Sequence, residues 1–280
     1  MATPVGTVRE LWRYPVKSMQ GEELGSCQVT RLGVSGDRAY GVRDLGSGKV
    51  ASAKQPRPWS RLLGCEAMLG SHGDPDDGVT VRLPDGATVR HGDDDTDRRL
   101  SALVGRDVRL EPATVDEVTY ESWWPELDGL ALSDVTADLP MAMSTEKGTY
   151  VDVAAVHILT TTALAHLQSL VPDSTIAPRR FRPNLVVETP DTEGWVENGW
   201  AGRTLHLGEE VRIALSDPAP RCVMTTLSQP GLPADRDILS ATATHNRRDF
   251  AGLGDFACLG IYGEVETAGE VAVGQPVAID

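Results

Sequence analysis

The residues best suited to chemistry in this 280-residue chain are one cysteine and a set of cations placed in turns. Cys222 stands in Asp217-Pro218-Ala219-Pro220-Arg221-Cys222-Val223-Met224-Thr225-Thr226. The thiolate is the form of cysteine that ligates metals and attacks electrophiles, and the adjacent Arg221 favours it. Pro218 and Pro220 restrict the backbone and predict a stiff loop rather than a strand interior. A free cysteine can also be no more than a small buried hydrophobe, and Cys222 alone leaves the two readings level.

Three further segments place basic or hydroxyl groups in turns. The first is Tyr14-Pro15-Val16-Lys17-Ser18. The second is Gly33-Val34-Ser35-Gly36-Asp37-Arg38, where Asp37 is placed to orient Arg38. The third is Arg179-Arg180-Phe181-Arg182-Pro183-Asn184. Its clustered arginines repel one another unless an anion or carboxylates neutralise them. Guanidinium forks suit phosphates. The start of a helix at Thr160-Thr161-Thr162 offers further anion-binding donors. Any one of these segments also reads as solvated surface. Together, with a candidate thiolate, they point to a phosphorylated ligand near a metal-binding sulfur. His157 reads as a core or capping histidine rather than a ligand, and Cys27, Cys65 and Cys258 as structural thiols.

The elements that must position these residues are mostly short strands. The stretch 6–14 alternates and stops at Pro15. Strands follow at 27–30, 39–43 and 108–112, and a hairpin joins 79–83 to 87–90 around Pro84-Asp85-Gly86. A second hairpin joins 202–208 to 211–215, and 184–188 reads as a strand. The stretches 258–265 and 270–277 read as closing strands. The clearest helix runs from Thr160 to about Leu170, with Thr160 or Thr161 able to cap it and Pro172 ending it. The weakly patterned stretch 114–149 reads as a connection. The expected fold is mainly β (α+β), a barrel or a sandwich, in two β-rich lobes joined by that connection.

Composition narrows the partners. With 26 Lys+Arg against 41 Asp+Glu, the net charge of −15 repels polyanions, so no nucleic-acid partner is expected. The acidic runs at 74–77 and 93–95 read as solvated turns and do not fit a calcium loop. No CxxC pair suggests a zinc knuckle or a disulfide framework. No apolar run is long enough to span a membrane, and no signal peptide is read at the N-terminus. A cytoplasmic setting without a membrane partner is the expectation.

In order and approximate spacing, Tyr14-Pro15-Val16-Lys17-Ser18, Gly36-Asp37-Arg38, Arg180-Phe181-Arg182-Pro183-Asn184 and Arg221-Cys222-Val223-Met224-Thr225-Thr226 resemble MOSC proteins. More narrowly, the chain resembles the subgroup with an N-terminal MOSC β-barrel lobe, which implies a MOSC N-terminal β-barrel-like domain over 1–118 and a MOSC β-barrel domain with a few short helices over 119–280, connection included. That subgroup includes the mitochondrial amidoxime-reducing component with its bacterial relatives, and the C-terminal part of molybdenum cofactor sulfurase. The resemblance implies a molybdenum cofactor (Mo-molybdopterin), with Cys222 as metal ligand and catalytic residue. It implies cofactor contacts from Lys17, Ser18, Arg38, Asn184 and Arg221, with Arg182 a partner of the pterin phosphate. Thr160 and Thr161 match a polar cofactor-contacting turn, and Tyr262 a late aromatic near the cofactor, though ordinary strand packing explains Tyr262 equally well. Met19 stands where relatives often carry cysteine.

The implied activity is reduction of N-hydroxylated small molecules such as amidoximes and hydroxylamines. No ferredoxin-type cysteine cluster and no pyridoxal-phosphate lobe is present, so a reductase would need a separate electron-transfer protein. The alternatives are a sulfur carrier bearing a persulfide on Cys222, loaded by a cysteine desulfurase, and a non-catalytic cofactor carrier.

Overall fold

The structure, a computed structural model, describes residues 2–70, 78–124, 135–190 and 192–280. Strands take 40% of it and helices 19%, which makes the molecule mainly β. Its centre is a closed seven-strand barrel. In spatial order the staves are Val156–Thr160, Leu185–Glu188, Thr3–Arg13, Pro276–Ile279, Thr204–Leu207, Val211–Pro220 and Asp255–Thr267, which returns to Val156–Thr160. Only Val156–Thr160 with Leu185–Glu188 is parallel. The crossover that this parallel pair requires carries the helix Thr161–Leu170. Inward side chains fill the barrel: Val8, Leu11, Ile158, Leu205, Ile213, Ile261 and Val277 are all fully buried. Alternation puts polar residues of the same strands outside.

A second core belongs to the first lobe and gathers Val16, Met19, Val42, Leu62, Ala67, Val81, Leu100 and Leu110. The ladders over it are Tyr40–Asp44 with Val108–Pro112, and Glu66–Leu69, Val79–Arg82 and Thr88–Arg90 in series. A third cluster seats the helices Thr161–Leu170 and Asp237–His245 on the barrel through Leu159, Leu167, Ile238 and Leu259. The stave Thr3–Arg13 comes from the N-terminal stretch, yet it completes the barrel otherwise built by residues 156–279.

Both expected hairpins form, pairing Val79–Arg82 with Thr88–Arg90 and Thr204–Leu207 with Val211–Pro220. The helix starts where the threonines suggested: Thr160 accepts from the backbone N–H of Ala163 at 3.1 Å. Four expectations need correction. Pro218 and Pro220 lie within the strand Val211–Pro220, not in a loop. The ladder accommodates them by slipping register between Leu215 and Pro218 and again before Pro220, because proline offers no N–H to a regular ladder. The stretch 270–277 is two strands, since Gly274 at φ 86° breaks it. Gly269–Ala272 pairs with Ser26–Thr30, and Pro276–Ile279 joins the barrel. The connection 114–149 holds a hairpin, Thr119–Trp124 with Val135–Pro140, whose alternation was hidden by polar residues on both faces. Finally, the helix Thr96–Val104 was not anticipated. The acidic run at 74–77 and residues 125–134 lie outside the described residues.

Candidate functional site

The cation-bearing turns converge at one end of the barrel. Lys17, Ser18, Arg38, Arg182, Asn184, Arg221, Cys222 and Tyr262 all line one cavity, with about 750 Å³ of space not filled by atoms, open mouth included. Its basic lining residues are Lys17, Arg38, Lys54, Arg180, Arg182 and Arg221, against the single acid Asp152. In a chain of net charge −15, this is a localised positive site suited to an anion.

Backbone strain marks the same place. Five described non-glycine residues have positive φ, and three of them, Ser18 (64°), Arg38 (47°) and Arg182 (56°), line this cavity. Each such conformation costs about 1–3 kcal/mol and persists only where the surroundings enforce it. The enforcement is visible. Arg38 N–H donates to the Tyr14 carbonyl at 2.8 Å, and Tyr14 N–H donates to Asp37 Oδ1 at 2.8 Å, so the Asp37-Arg38 turn is docked on the segment that carries Lys17. Asp37 also pairs with the Arg38 guanidinium. Arg38 Nη2 reaches the Arg182 carbonyl at 3.1 Å. The Tyr14 ring lies 4.7 Å from the Arg38 guanidinium and 4.3 Å from that of Arg182, so one aromatic supports both cations.

Arg182 is the least compensated cation. It donates to the Met19 carbonyl and, among the described residues, meets no carboxylate within ion-pair distance. Burial, then repulsion from Arg38, pulls its pKa down to about 10. The rest of the arginine cluster is resolved differently from the sequence expectation. Arg179 donates to the Pro230 carbonyl at 2.6 Å, and Arg180 to the carbonyls of Thr175, Thr225, Leu227 and Pro233. Backbone oxygens, not carboxylates, satisfy these two. The Arg180 contacts tie the arginine turn to the cysteine loop.

Cys222 is half-buried and immediately precedes the 3-10 turn Val223–Thr226. Its loop packs on the first lobe through Ala53, Leu63 and Met224. The Arg221 side chain is used elsewhere: it donates to the Ala219 and Phe181 carbonyls at 3.0 and 3.1 Å and to the Tyr262 hydroxyl at 3.3 Å. The cation electrostatically coupled to Cys222 is Lys54.

Lys54 and Asp152 are site residues that sequence reasoning missed. Asp152 is flanked by both lysines, Lys17 on one oxygen and Lys54 on the other at 2.9 Å. Burial works to neutralise Asp152, but Lys17 and then Lys54 override it and hold the carboxyl well below its usual range. One carboxylate cannot compensate two buried ammonium groups. Burial pushes Lys17 down to about 8 even with Asp152 beside it, while on Lys54 the same burial is outweighed, chiefly by Asp152. The available sign of Lys54 was its place directly after a fully buried run, 50–53.

The histidine and the tyrosine form the back wall. His157 Nε2 lies 3.2 Å from the Leu259 carbonyl, which can only accept, so that bond places a proton on Nε2. Burial and then Arg221 hold its pKa well below the usual value and favour the neutral ring. Its edge meets the Tyr262 ring at 5.7 Å. Asn184 braces this wall: Oδ1 accepts from His157 N–H at 3.1 Å. Thr160 and Thr161 do not line the cavity. Thr160 caps its helix and donates to Glu197, and Thr161 accepts from the Thr189 backbone N–H at 3.2 Å.

The family described as MOSC domain matches residues 145–278, and that described as MOSC N-terminal beta barrel domain matches residues 5–119. Mitochondrial amidoxime reducing component 2 of Bos taurus is 25% identical over 98% of this chain and 83% of its own length. Mitochondrial amidoxime-reducing component 1 of Homo sapiens is 24% identical over 98% of this chain and 82% of its own. Among solved structures, the YUAD protein from Bacillus subtilis aligns over 100% of this chain and 98% of its own, at 11% identity and a TM-score of 0.47. The chain belongs to the MOSC family, in the form that pairs a MOSC domain with a MOSC N-terminal beta barrel domain.

Proposed function

We propose that this protein binds a molybdenum cofactor and reduces N-hydroxylated compounds such as amidoximes. The observation that carries the reading is Arg182, a half-buried guanidinium with no carboxylate within ion-pair distance among the described residues, facing a cavity that also holds a half-buried thiol. A cation drawn from water without a counter-charge calls for an anion, and the soft sulfur calls for a soft metal. Among the described residues no group of three or more His, Cys, Asp or Glu side chains converges to hold a bare metal ion. A metal at Cys222 would therefore take its other donors from a ligand, as a dithiolene cofactor provides. The names of the relatives, amidoxime reducing components, support that substrate class.

In this reading Arg182 and Arg38 hold the cofactor phosphate, and Lys17, Ser18, Asn184 and Arg221 shape the pocket around it. Cys222 supplies the protein ligand, and Tyr262 packs beside the site. The bound cofactor would supply two-electron chemistry; reduction of an N–OH group to N–H consumes two electrons and two protons and releases water. In this reading the electrons come from a separate electron-transfer protein. Assaying the molybdenum-loaded protein with benzamidoxime and a chemical reductant tests the reading. Wild-type protein should form benzamidine, and Cys222→Ala should lose at least about 100-fold in rate, the order expected when an essential catalytic group is removed. Full turnover by Cys222→Ala would exclude the assigned ligand. A sulfur adduct on Cys222 after desulfurase treatment, without bound pterin, would favour the sulfur-carrier alternative.

A further inference from the structure

The lysine side of the cavity carries a donor that the protein does not use. An ammonium has three N–H groups. Those of Lys17 meet the Tyr150 carbonyl at 3.1 Å and Asp152, and the group lies 4.7 Å from the centre of the Tyr120 ring. Lys54 meets Asp152 Oδ2 at 2.9 Å and the Tyr120 hydroxyl at 3.3 Å, and lies 5.2 Å from the centre of the same ring. Among the described residues no third acceptor is present for Lys54, whose side chain lines the cavity together with Cys222. Asp152 and Tyr120 fix the position of this ammonium, and Tyr120 is itself almost fully buried. The site is distinct from the arginine side, where Arg38 and Arg182 share the Tyr14 ring.

We propose that Lys54 is the substrate-binding residue that takes the oxygen of the N–O group beside Cys222, using its third N–H. This rests on the reading of the cavity as a site for N-hydroxylated compounds. It makes the pocket recognise the oxygenated substrate over the deoxygenated product, which has no oxygen to accept that bond. A hydrogen bond to a charged donor is worth about tenfold or more in affinity.

The test uses a ligand pair differing by one oxygen and both neutral at pH 7, N-hydroxybenzamide and benzamide, with binding to the purified protein measured by calorimetry. Wild-type protein should bind N-hydroxybenzamide about tenfold more tightly. Lys54→Met should remove that preference while leaving benzamide affinity within about twofold, and Lys54→Arg should restore most of it. Tyr120→Phe, which keeps the ring and removes the hydroxyl, should reduce the preference without abolishing it, and it guards against a folding defect in Lys54→Met. Equal binding of the pair by wild-type protein, or an unchanged preference in Lys54→Met, overturns the proposal. Molybdenum content is measured on the same samples. Loss of the preference with metal retained implicates Lys54, whereas wild-type protein that discriminates the pair but holds no molybdenum would sink the cofactor reading and leave the oxygen site standing.

Discussion

At the scale of single residues, the cavity gathers side chains whose environments conflict with their charge, and a second such conflict lies just behind its wall. Glu197 is fully buried. Its carboxyl accepts from the Thr160 hydroxyl at 2.8 Å and from Gly260 N–H at 3.1 Å, and no charged side chain acts on it among the described residues. Burial pushes its pKa up to about 7. A carboxyl raised in the folded state favours folding fully below its unfolded pKa of about 4.5, and that advantage is lost as pH rises towards 7. Unfolding in denaturant at pH 5 and pH 8 should show Glu197→Gln losing roughly 2–3 kcal/mol less stability than wild type between the two. An identical pH dependence in both proteins would mean Glu197 does not carry the titration. The residues at this scale that were legible in sequence are those with local signatures: Lys17, Ser18, Arg38, Arg182 and Cys222 each lie in a turn punctuated by Gly or Pro. Lys54 and Asp152 were not, because their meaning is the pair they form across 98 positions of chain (152 − 54).

At the scale of elements, the site depends on the seam that closes the barrel. Val156–Thr160 pairs there with Asp255–Thr267, registering Val156 with Gly263 and Ile158 with Ile261. Gly260 has φ 80° and lies against the other strand; a methyl group on it would strike the Ile158 carbonyl and the His157 ring. Gly260→Ala should therefore cost about 2 kcal/mol or more in stability. It should also lower cofactor content by displacing His157 and Tyr262, readable as a reduced metal-to-protein ratio in the folded fraction. Unchanged stability would mean the seam can shift to admit a side chain. Of the two strands at this seam, the stretch 258–265 was legible in sequence, whereas Val156–Thr160 was not, because every residue of it is buried and it shows no alternation. The bulged end of Val211–Pro220 was not, because its prolines argue locally for a loop while pairing with Asp255–Thr267 holds them in the sheet. Tertiary pairing outweighed a local preference.

At the scale of the whole molecule, the two halves of the chain are interleaved. The N-terminal strand Thr3–Arg13 is a barrel stave between Leu185–Glu188 and Pro276–Ile279, and Gly269–Ala272 near the C-terminus pairs back onto Ser26–Thr30. Sequence patterning identified the strands but not this exchange, since nothing local tells a strand which distant partner it will take. We retain the division at 118/119 as a proposal for limited proteolysis. Removing residues 2–13 should open the barrel and yield insoluble protein; a soluble, cooperatively folding product would show that the stave is dispensable. The same interleaving brings Lys17 and Arg38 from the first lobe to Arg182 and Cys222 from the second, and the central claim is that this shared cavity holds a molybdenum cofactor. Metal analysis combined with native mass spectrometry, on protein made in a cofactor-competent host, tests it most directly. The account predicts near-stoichiometric molybdenum with a bound pterin mass in wild-type protein, and loss of the metal in Cys222→Ala. Folded wild-type protein without molybdenum, or Cys222→Ala that retains it in full, would contradict it.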